Sequence, residues 1–152
     1  MITLSGRPLF KLDIYKFNPL LSRKVPSFGE AIMEKGSIDL RDLILLINEQ
    51  KQMNANLALE FDCAIETDDV KPLVKVINYA INYVNQLTDQ QQQISLNSTM
   101  SGITIGFTAF TALSDFPAIN PQVHEALVPY NAILEQKGEP GKYIQLLISF
   151  RK

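Results

Sequence analysis

The 152-residue sequence has one cysteine, one histidine and no tryptophan. A single cysteine excludes an internal disulfide and a zinc site built from cysteines, and it favours a reducing, cytoplasmic setting. Cys63 lies in the apolar pattern LALEFDCAI, away from cationic residues, which predicts a small buried hydrophobe rather than a reactive thiol. His124 has no accompanying Ser and Asp motif and no metal-ligand spacing. We therefore assign no catalytic residue and no metal ligand.

The sequence also lacks an excess of positive charge and a long apolar run. Its formal net charge is -2 with 20% charged residues, so it offers no basic field for nucleic acid. No apolar run reaches the ~18 residues of a membrane span. The start, MITLSGRPLFKLDIYKF, carries charges where a signal peptide has its apolar centre. We therefore expect a cytoplasmic domain that contacts neither nucleic acid nor membrane. With 46% apolar residues, the chain can form a hydrophobic core.

The first half of the chain contains periodic segments separated by turn residues. Alternation predicts strands near 8–17 and 57–64, while Leu40, Leu43, Ile44 and Ile47 have the spacing of a helix near 39–53. Ser37 or Asp39 can cap that helix. The stretch 18–36, between the first strand and this helix, contains two prolines and two glycines. It predicts a loop with a short helix near 27–34.

The second half begins with a helix near 69–87, where Asp68 or Asp69 can act as cap and Pro72 falls in the first turn. Strands near 93–99 and 103–110 follow as a hairpin joined by Met-Ser-Gly. Asn120 and Pro121 then open a third helix, which Pro129 should kink or divide and Gly138 should end. A last strand is expected near 142–150.

The predicted order is thus β, α, β, α, β, β, α, β. It indicates an α/β (α+β) two-layer sandwich: a mixed sheet of about five strands with about three helices on one face. The length suits a single domain over 1–152. Within it we distinguish the irregular start 1–36, the segment 37–110 and the closing segment 111–152.

The helix near 69–87 carries an unusual polar stripe. At 100° per residue, its two lysines and three asparagines fall within roughly 80° of arc: Lys71, Lys75, Asn78, Asn82 and Asn85. Asparagine can ligate Mg²⁺ or hold a water on it, and lysine can meet a phosphate. The alternative is the solvated face that any amphipathic helix needs. Tyr79 and Tyr83 flank the stripe, where they can stack on a ligand or pack against a neighbouring element.

Four motifs in 37–110 carry a family resemblance. They are Ile38-Asp39-Leu40, the L-x-L-x-F strand at 57–61, the box Asn78-Tyr79-Ala80-Ile81-Asn82-Tyr83-Val84, and the hairpin after it. Together they resemble the first half of the ATPase domain of sensor histidine kinases, in the Bergerat-fold (GHKL) superfamily. The resemblance places Asn82 at the Mg²⁺-binding asparagine and Asn78 one turn before it. We expect no cofactor. The alternative that the resemblance offers is Mg-ATP, bound by Asn78 and Asn82 with Lys71 and Lys75 as candidate neighbours.

The sequence departs from the family pattern after the hairpin. The family continues with D-x-G-x-G, whose Asp recognises adenine, and a glycine-rich lid that wraps the phosphates. Here TALSDFPAINPQ follows, and no glycine occurs from Phe107 to Lys137. Asp115 is followed by Phe116 and Pro117. The resemblance thus implies a degenerate member without conventional nucleotide binding.

Two further patterns invite functional interpretation. His124 lies in HEALVP, which fits H-E-x-x-x-P, the core of the histidine-kinase phosphoacceptor box. That box precedes the ATPase domain in the kinases and starts a helical hairpin, so a surface histidine is the expectation here. The acidic stretch Glu60, Asp62, Glu66, Asp68 and Asp69 can bind a cation or simply be solvated; we expect it to be solvated.

Three functional hypotheses follow. The first is a non-catalytic, histidine-kinase-ATPase-like module for protein interaction or dimerisation in bacterial two-component-type signalling. The second is a minimal ATP-binding kinase or ATPase that uses Asn78, Asn82 and the lysines in a non-standard way. The third is an unrelated α/β ligand-binding domain. The sequence leaves the protein partner and any self-association unidentified.

Overall fold

A computed structural model describes residues 33–34, 36–53 and 55–151. The strand predicted near 8–17 and most of the short helix near 27–34 lie outside these residues. The described elements are β1 Met33–Glu34, β2 Ser37–Asp39, α1 Leu40–Lys51, β3 Asn56–Leu59, β4 Ala64–Glu66, α2 Lys71–Asn85, β5 Gln93–Thr99, β6 Gly102–Phe110, α3 Pro121–Leu127, β7 Ala132–Glu139 and β8 Tyr143–Arg151. A 3₁₀ turn at Val128–Tyr130 joins α3 to β7.

The main sheet has five strands in the order β3-β5-β6-β8-β7. β3 runs parallel to β5, and the other neighbours are antiparallel, so the sheet is mixed as predicted. A small three-stranded sheet, β1-β2-β4, lies at the start of the described chain. The predicted class, an α+β sandwich with a five-stranded mixed sheet and three helices, is confirmed.

The helices cover one face of the main sheet. Alternate residues of β8 are buried, namely Ile144, Leu146, Ile148 and Phe150. Because side chains in a strand alternate between its two faces, the intervening residues of β8, which are half-buried, lie on the opposite face. α2 contacts β6 and β8, and α3 contacts β7 and α2. One continuous apolar cluster joins α1, α2 and the sheet.

Local signals fix the starts of both long helices. Asp39 caps α1, with its Oδ1 accepting a hydrogen bond from the Arg41 amide at 2.9 Å. The residue that precedes α2 is Val70, which makes no side-chain cap, so the prediction that Asp68 or Asp69 caps this helix was wrong. Asp69 Oδ1 accepts from the Lys71 amide at 3.0 Å, and Pro72 lies in the first turn of α2. Both helices therefore begin where the sequence predicts them.

Two predicted elements were wrong in type or extent. The strand near 57–64 is two strands, β3 and β4, in different sheets, since Asp62 turns the chain with φ +59°. The third helix does not continue to Gly138. It ends at Leu127, and 132–139 form β7. Asn131 is left-handed after the proline-containing 3₁₀ turn, so the chain leaves the helix there and pairs with β8.

The predicted short helix also differs at its end, because Met33 and Glu34 form β1 and pair with β2. Strand pairing decides the conformation of these two residues. The chain between β6 and α3, residues 111–120, has no regular secondary structure. We call these ten residues the strap, and they border the candidate site.

Candidate functional site

The apolar side of α2 is fully buried, as its spacing predicts. Leu73, Ile77, Ala80 and Val84 are each 0% exposed. Since these positions recur every three or four residues, they form one stripe that packs against the sheet. This packing fixes the rotation of α2 about its axis, and so determines where every other side chain of the helix lies.

The polar stripe of α2 is only partly open to solvent. Lys71, Lys75, Asn82 and Asn85 are exposed, whereas Asn78 is 8% exposed. The Asn78 Nδ2 donates to the Val74 carbonyl at 3.0 Å, one turn back in the same helix. The side-chain amide of Asn78 is therefore hydrogen-bonded within α2. The structure therefore separates the two asparagines of the box, one buried and helix-bound and one facing water.

Asn85, the last residue of the stripe, is hydrogen-bonded to the segment that connects α2 to β5. Its Oδ1 accepts from Gln92 Nε2 at 2.9 Å, and the same nitrogen lies 3.3 Å from the Ile81 carbonyl. Gln92 is 3% exposed. Its buried amide thus ties the end of α2 to the start of β5. Sequence reasoning missed Gln92 because it lies in a run of four glutamines that looks like a polar connector.

Tyr79 and Tyr83 bind the strap to the flank of α2. The Tyr79 hydroxyl accepts a hydrogen bond from the Asn120 amide at 3.0 Å. The Tyr83 hydroxyl donates to the Pro117 carbonyl and accepts from Gln136 Nε2 of β7. The two rings are 6.2 Å apart between centroids. Both tyrosines pack against a neighbouring element, one of the two uses expected from the sequence.

The strap is also anchored at its beginning. Thr111 is buried, and its hydroxyl donates to the Leu87 carbonyl just after α2 while accepting from the Leu113 amide. Its amide donates to the Lys142 carbonyl at 3.1 Å. The Leu113 carbonyl accepts from the Gly141 amide at 2.7 Å. The strap is therefore hydrogen-bonded to α2, to β7 and to the turn before β8.

A third tyrosine connects the start of α2 to the turn after α3. The Tyr130 hydroxyl accepts from the Leu73 amide at 3.1 Å and donates to the Asp69 carbonyl at 2.6 Å. It therefore satisfies an amide of the first helical turn, which has no partner inside the helix. Sequence reasoning missed this contact because it joins residues 57 positions apart.

Burial perturbs the acidity of both buried tyrosines. Desolvation raises the pKa of Tyr83 above its ordinary value, and the hydrogen bond from Gln136 partly opposes this rise. Desolvation likewise raises the pKa of Tyr130, against the effect of the Leu73 amide. Both hydroxyls therefore stay protonated over the physiological range and act as hydrogen-bonding ties.

The other candidate groups lie apart from α2's polar stripe. Asp115 lies exposed in the strap. His124 is exposed in the last turn of α3, the surface position expected for it. Cys63 is 0% exposed. The acidic stretch is exposed, and Glu60 accepts from the Ser98 amide at 2.9 Å.

Chemically, the assembled groups are amides, hydroxyls and two ammonium groups. Within residues 33–34, 36–53 and 55–151, no three histidine, cysteine or acidic side chains are grouped to hold a metal ion. In the same part of the chain, every helix falls short of the length or hydropathy that spanning a bilayer requires. Asn82 is exposed near the end of α2, with Lys75 about two turns and Lys71 about three turns before it on the same helix.

Comparison with known proteins identifies the fold of the chain. No protein-family model matches the sequence, and no curated protein matches it. Among solved structures, the histidine kinase domain of the E. coli osmosensor EnvZ matches with a TM-score of 0.62 and 7% identity. The match covers 78% of this chain and 89% of that one.

Two other histidine kinases give the same result. The ATP-binding domain of PrrB from Mycobacterium tuberculosis matches with a TM-score of 0.57 and 15% identity, over 76% of this chain and 95% of that one. The histidine kinase AdeS of Acinetobacter baumannii matches with a TM-score of 0.56 and 12% identity, over 91% and 75%. The fold of this chain is therefore that of the ATP-binding catalytic domain of histidine kinases.

Proposed function

We propose that this protein is a non-catalytic, histidine-kinase-ATPase-like module that acts through protein interaction or dimerisation in bacterial two-component-type signalling. The observation that carries the proposal is the strap, which follows β6 and is held against α2 by the hydroxyls of Tyr79 and Tyr83. In the resembled family, the corresponding stretch carries the adenine-binding Asp and a glycine-rich lid. Here the stretch stabilises the fold instead.

The composition of the strap supports this interpretation. A lid that wraps phosphates needs backbone amides free to point at the ligand, and glycine lets them approach closely. The strap has no glycine, and Pro117 contributes no amide donor. The amides of Thr111, Leu113 and Asn120 already donate within the protein. These three amides therefore bind within the fold, and Pro117 adds no donor to the strap.

The asparagine box supports the same interpretation. Asn78 donates to its own helix and is 8% exposed, so using it for a ligand requires breaking the bond to Val74. Of the two asparagines in the box, Asn82 faces solvent and Asn78 does not. The formal net charge of -2 argues against a nucleic-acid partner. The single cysteine is compatible with the cytoplasm, where we propose that the partner is a protein or a second copy of this chain.

Isothermal titration calorimetry with Mg-ATP and Mg-ADP tests the proposal. We expect no heat of binding at about 1 mM nucleotide. This result would mean that any nucleotide dissociation constant lies above about 1 mM, which is weaker than that of a functional site. An active histidine kinase ATP-binding domain, titrated in the same buffer, serves as positive control. Micromolar binding that Asn82→Ala abolishes would overturn the proposal.

The exposed set Asn82, Lys71 and Lys75 favours one competing function, a minimal ATP-binding kinase or ATPase. In that case Lys75→Ala should weaken nucleotide binding, since a lysine one or two turns from Asn82 would meet phosphate. Lys142→Ala, which removes an exposed lysine between β7 and β8, is the matched control. Binding that both variants weaken equally would indicate charge attraction without a defined site.

A further inference from the structure

The edge strand β7 presents a surface that the proposed function leaves unassigned. β7 has eight residues and lies at one end of the main sheet, whereas β3, at the other end, has four. An edge strand carries a row of N–H and C=O groups that can pair with a strand from another molecule. A longer edge offers more such groups, so β7 is the stronger candidate.

The pairing with β8 determines which residues of β7 direct their backbone groups outward. The Arg151 amide donates to the Asn131 carbonyl at 3.2 Å, and hydrogen-bonded pairs in an antiparallel ladder recur every second residue. Ile133, Glu135 and Lys137 therefore bond to β8. The even-numbered residues, including Leu134 and Gln136, point their backbone groups away from it. These outward groups form no hydrogen bond within the described residues.

Two exposed charges of β7 also lack an ionic partner in the described part of the chain. Glu135 lies opposite Leu147 of β8, and Lys137 lies opposite Gln145, so neither faces a charged residue across the sheet. By contrast, Glu139 pairs with Lys142 at 3.6 Å. Glu135 and Lys137 are two residues apart, so they lie on the same face of the sheet.

We propose that two copies of this chain associate through β7, antiparallel and centred on Gln136, to form one sheet continuous across both copies. In that register Gln136 lies opposite Gln136 of the second copy. Glu135 of each copy then lies opposite Lys137 of the other, at a non-hydrogen-bonded position where side chains approach closely. Registers shifted by one residue to either side of this centre place Glu135 opposite Glu135, or Lys137 opposite Lys137.

The charge pattern therefore selects this register over its neighbours, because like charges directly opposite each other destabilise an antiparallel pair. This proposal rests on the proposed function, a protein-interaction or dimerisation module, and identifies the partner as a second copy of the chain. The contact is small and partly polar, so the expected dimer is weak.

Analytical ultracentrifugation of the full chain, at about 10 to 500 µM, tests this dimer in the concentration range of small interfaces. We expect concentration-dependent dimerisation. Glu135→Lys or Lys137→Glu should each raise the dimer dissociation constant about tenfold, because both cross-strand pairs become repulsive. The double variant that exchanges the two charges should restore it. Mixing the two single variants should give a heterodimer tighter than either homodimer.

Glu49→Lys on α1 is the matched control, since it makes the same charge change at an exposed position on another element. It should leave the dissociation constant unchanged. If a reversal variant loses its circular dichroism signal, Glu135→Gln and Lys137→Gln provide milder tests, with weakening of about threefold expected.

A wild-type chain that stays monomeric throughout this range, or an exchanged variant that fails to recover, overturns the dimer. Neither result bears on the nucleotide titration, which tests whether Asn82 binds Mg-ATP. Conversely, nucleotide binding by a chain that still dimerises through β7 overturns the proposed lack of nucleotide chemistry and leaves the dimer standing.

Discussion

The two sides of α2 are held by different kinds of contact. One side presents Leu73, Ile77, Ala80 and Val84 to the core, each fully buried. The flank on the other side is held by hydroxyl and amide hydrogen bonds to the strap, to Gln136 and to Gln92. Apolar burial fixes α2 on the sheet. The hydrogen bonds hold the strap beside the polar stripe, on which Lys71, Lys75 and Asn82 stay exposed.

Substitution on the buried side of α2 should have the largest effect on the free energy of unfolding. Ile77→Ala should lower the free energy of unfolding by about 2–5 kcal/mol, because it removes transfer energy and leaves a cavity. Asn82→Ala, on the exposed stripe of the same helix, should change it by less than about 0.5 kcal/mol. Urea denaturation followed by circular dichroism measures both. Similar losses in the two variants would contradict the assignment of the two sides.

A smaller effect is expected where the strap meets α2. Tyr83→Phe removes the hydroxyl that binds the Pro117 carbonyl and Gln136, and should cost about 1–2 kcal/mol. It should also speed hydrogen exchange at strap amides such as that of Asn120. Tyr79→Phe removes the acceptor of the Asn120 amide itself, so it is the positive control for that exchange, with a smaller loss of stability because its partner is exposed. Unchanged exchange in Tyr83→Phe would show that the strap does not depend on this tie.

The smallest effect concerns alkaline pH. The raised pKa values of Tyr83 and Tyr130 mean that the unfolded chain releases these protons first as the pH passes about 10. Their contribution is therefore complete below pH 10 and is lost as the pH rises toward the folded pKa values. Lys51 acts in the opposite direction, since burial lowers its pKa. Tyr130→Phe should thus flatten the alkaline decline in stability relative to wild type; an unchanged slope would contradict the assignment.

The parts of the fold with strong local patterns were predictable from the sequence. β5 and β6, of seven and nine residues, are rich in β-branched and aromatic residues and carry a glycine at their turn, so the hairpin lies where it was predicted. α1 begins at Asp39, whose side chain caps it. In each case the signal lies within a few residues of the structure it determines.

The segment after α3 could not be predicted in this way. Val123 and Leu127 have helical spacing, and the sequence that follows Pro129 is compatible with either helix or strand. The strand conformation of 132–139 is decided by pairing with β8, which local propensity does not report. The candidate site shows the same limit. Spacing identified the stripe of α2, but Gln136 and Pro117 reach Tyr83 from 53 and 34 residues away.

A nuclear magnetic resonance titration of the ¹⁵N-labelled chain with Mg-ADP tests the central claim most directly, because it reports on each asparagine and on the strap at once. The account predicts that the side-chain amide signals of Asn78 and Asn82, and the backbone amide of Asn120, stay in place at about 1 mM nucleotide. Saturable shifts of the Asn78 and Asn82 signals, together with release of the Asn120 amide, would contradict it.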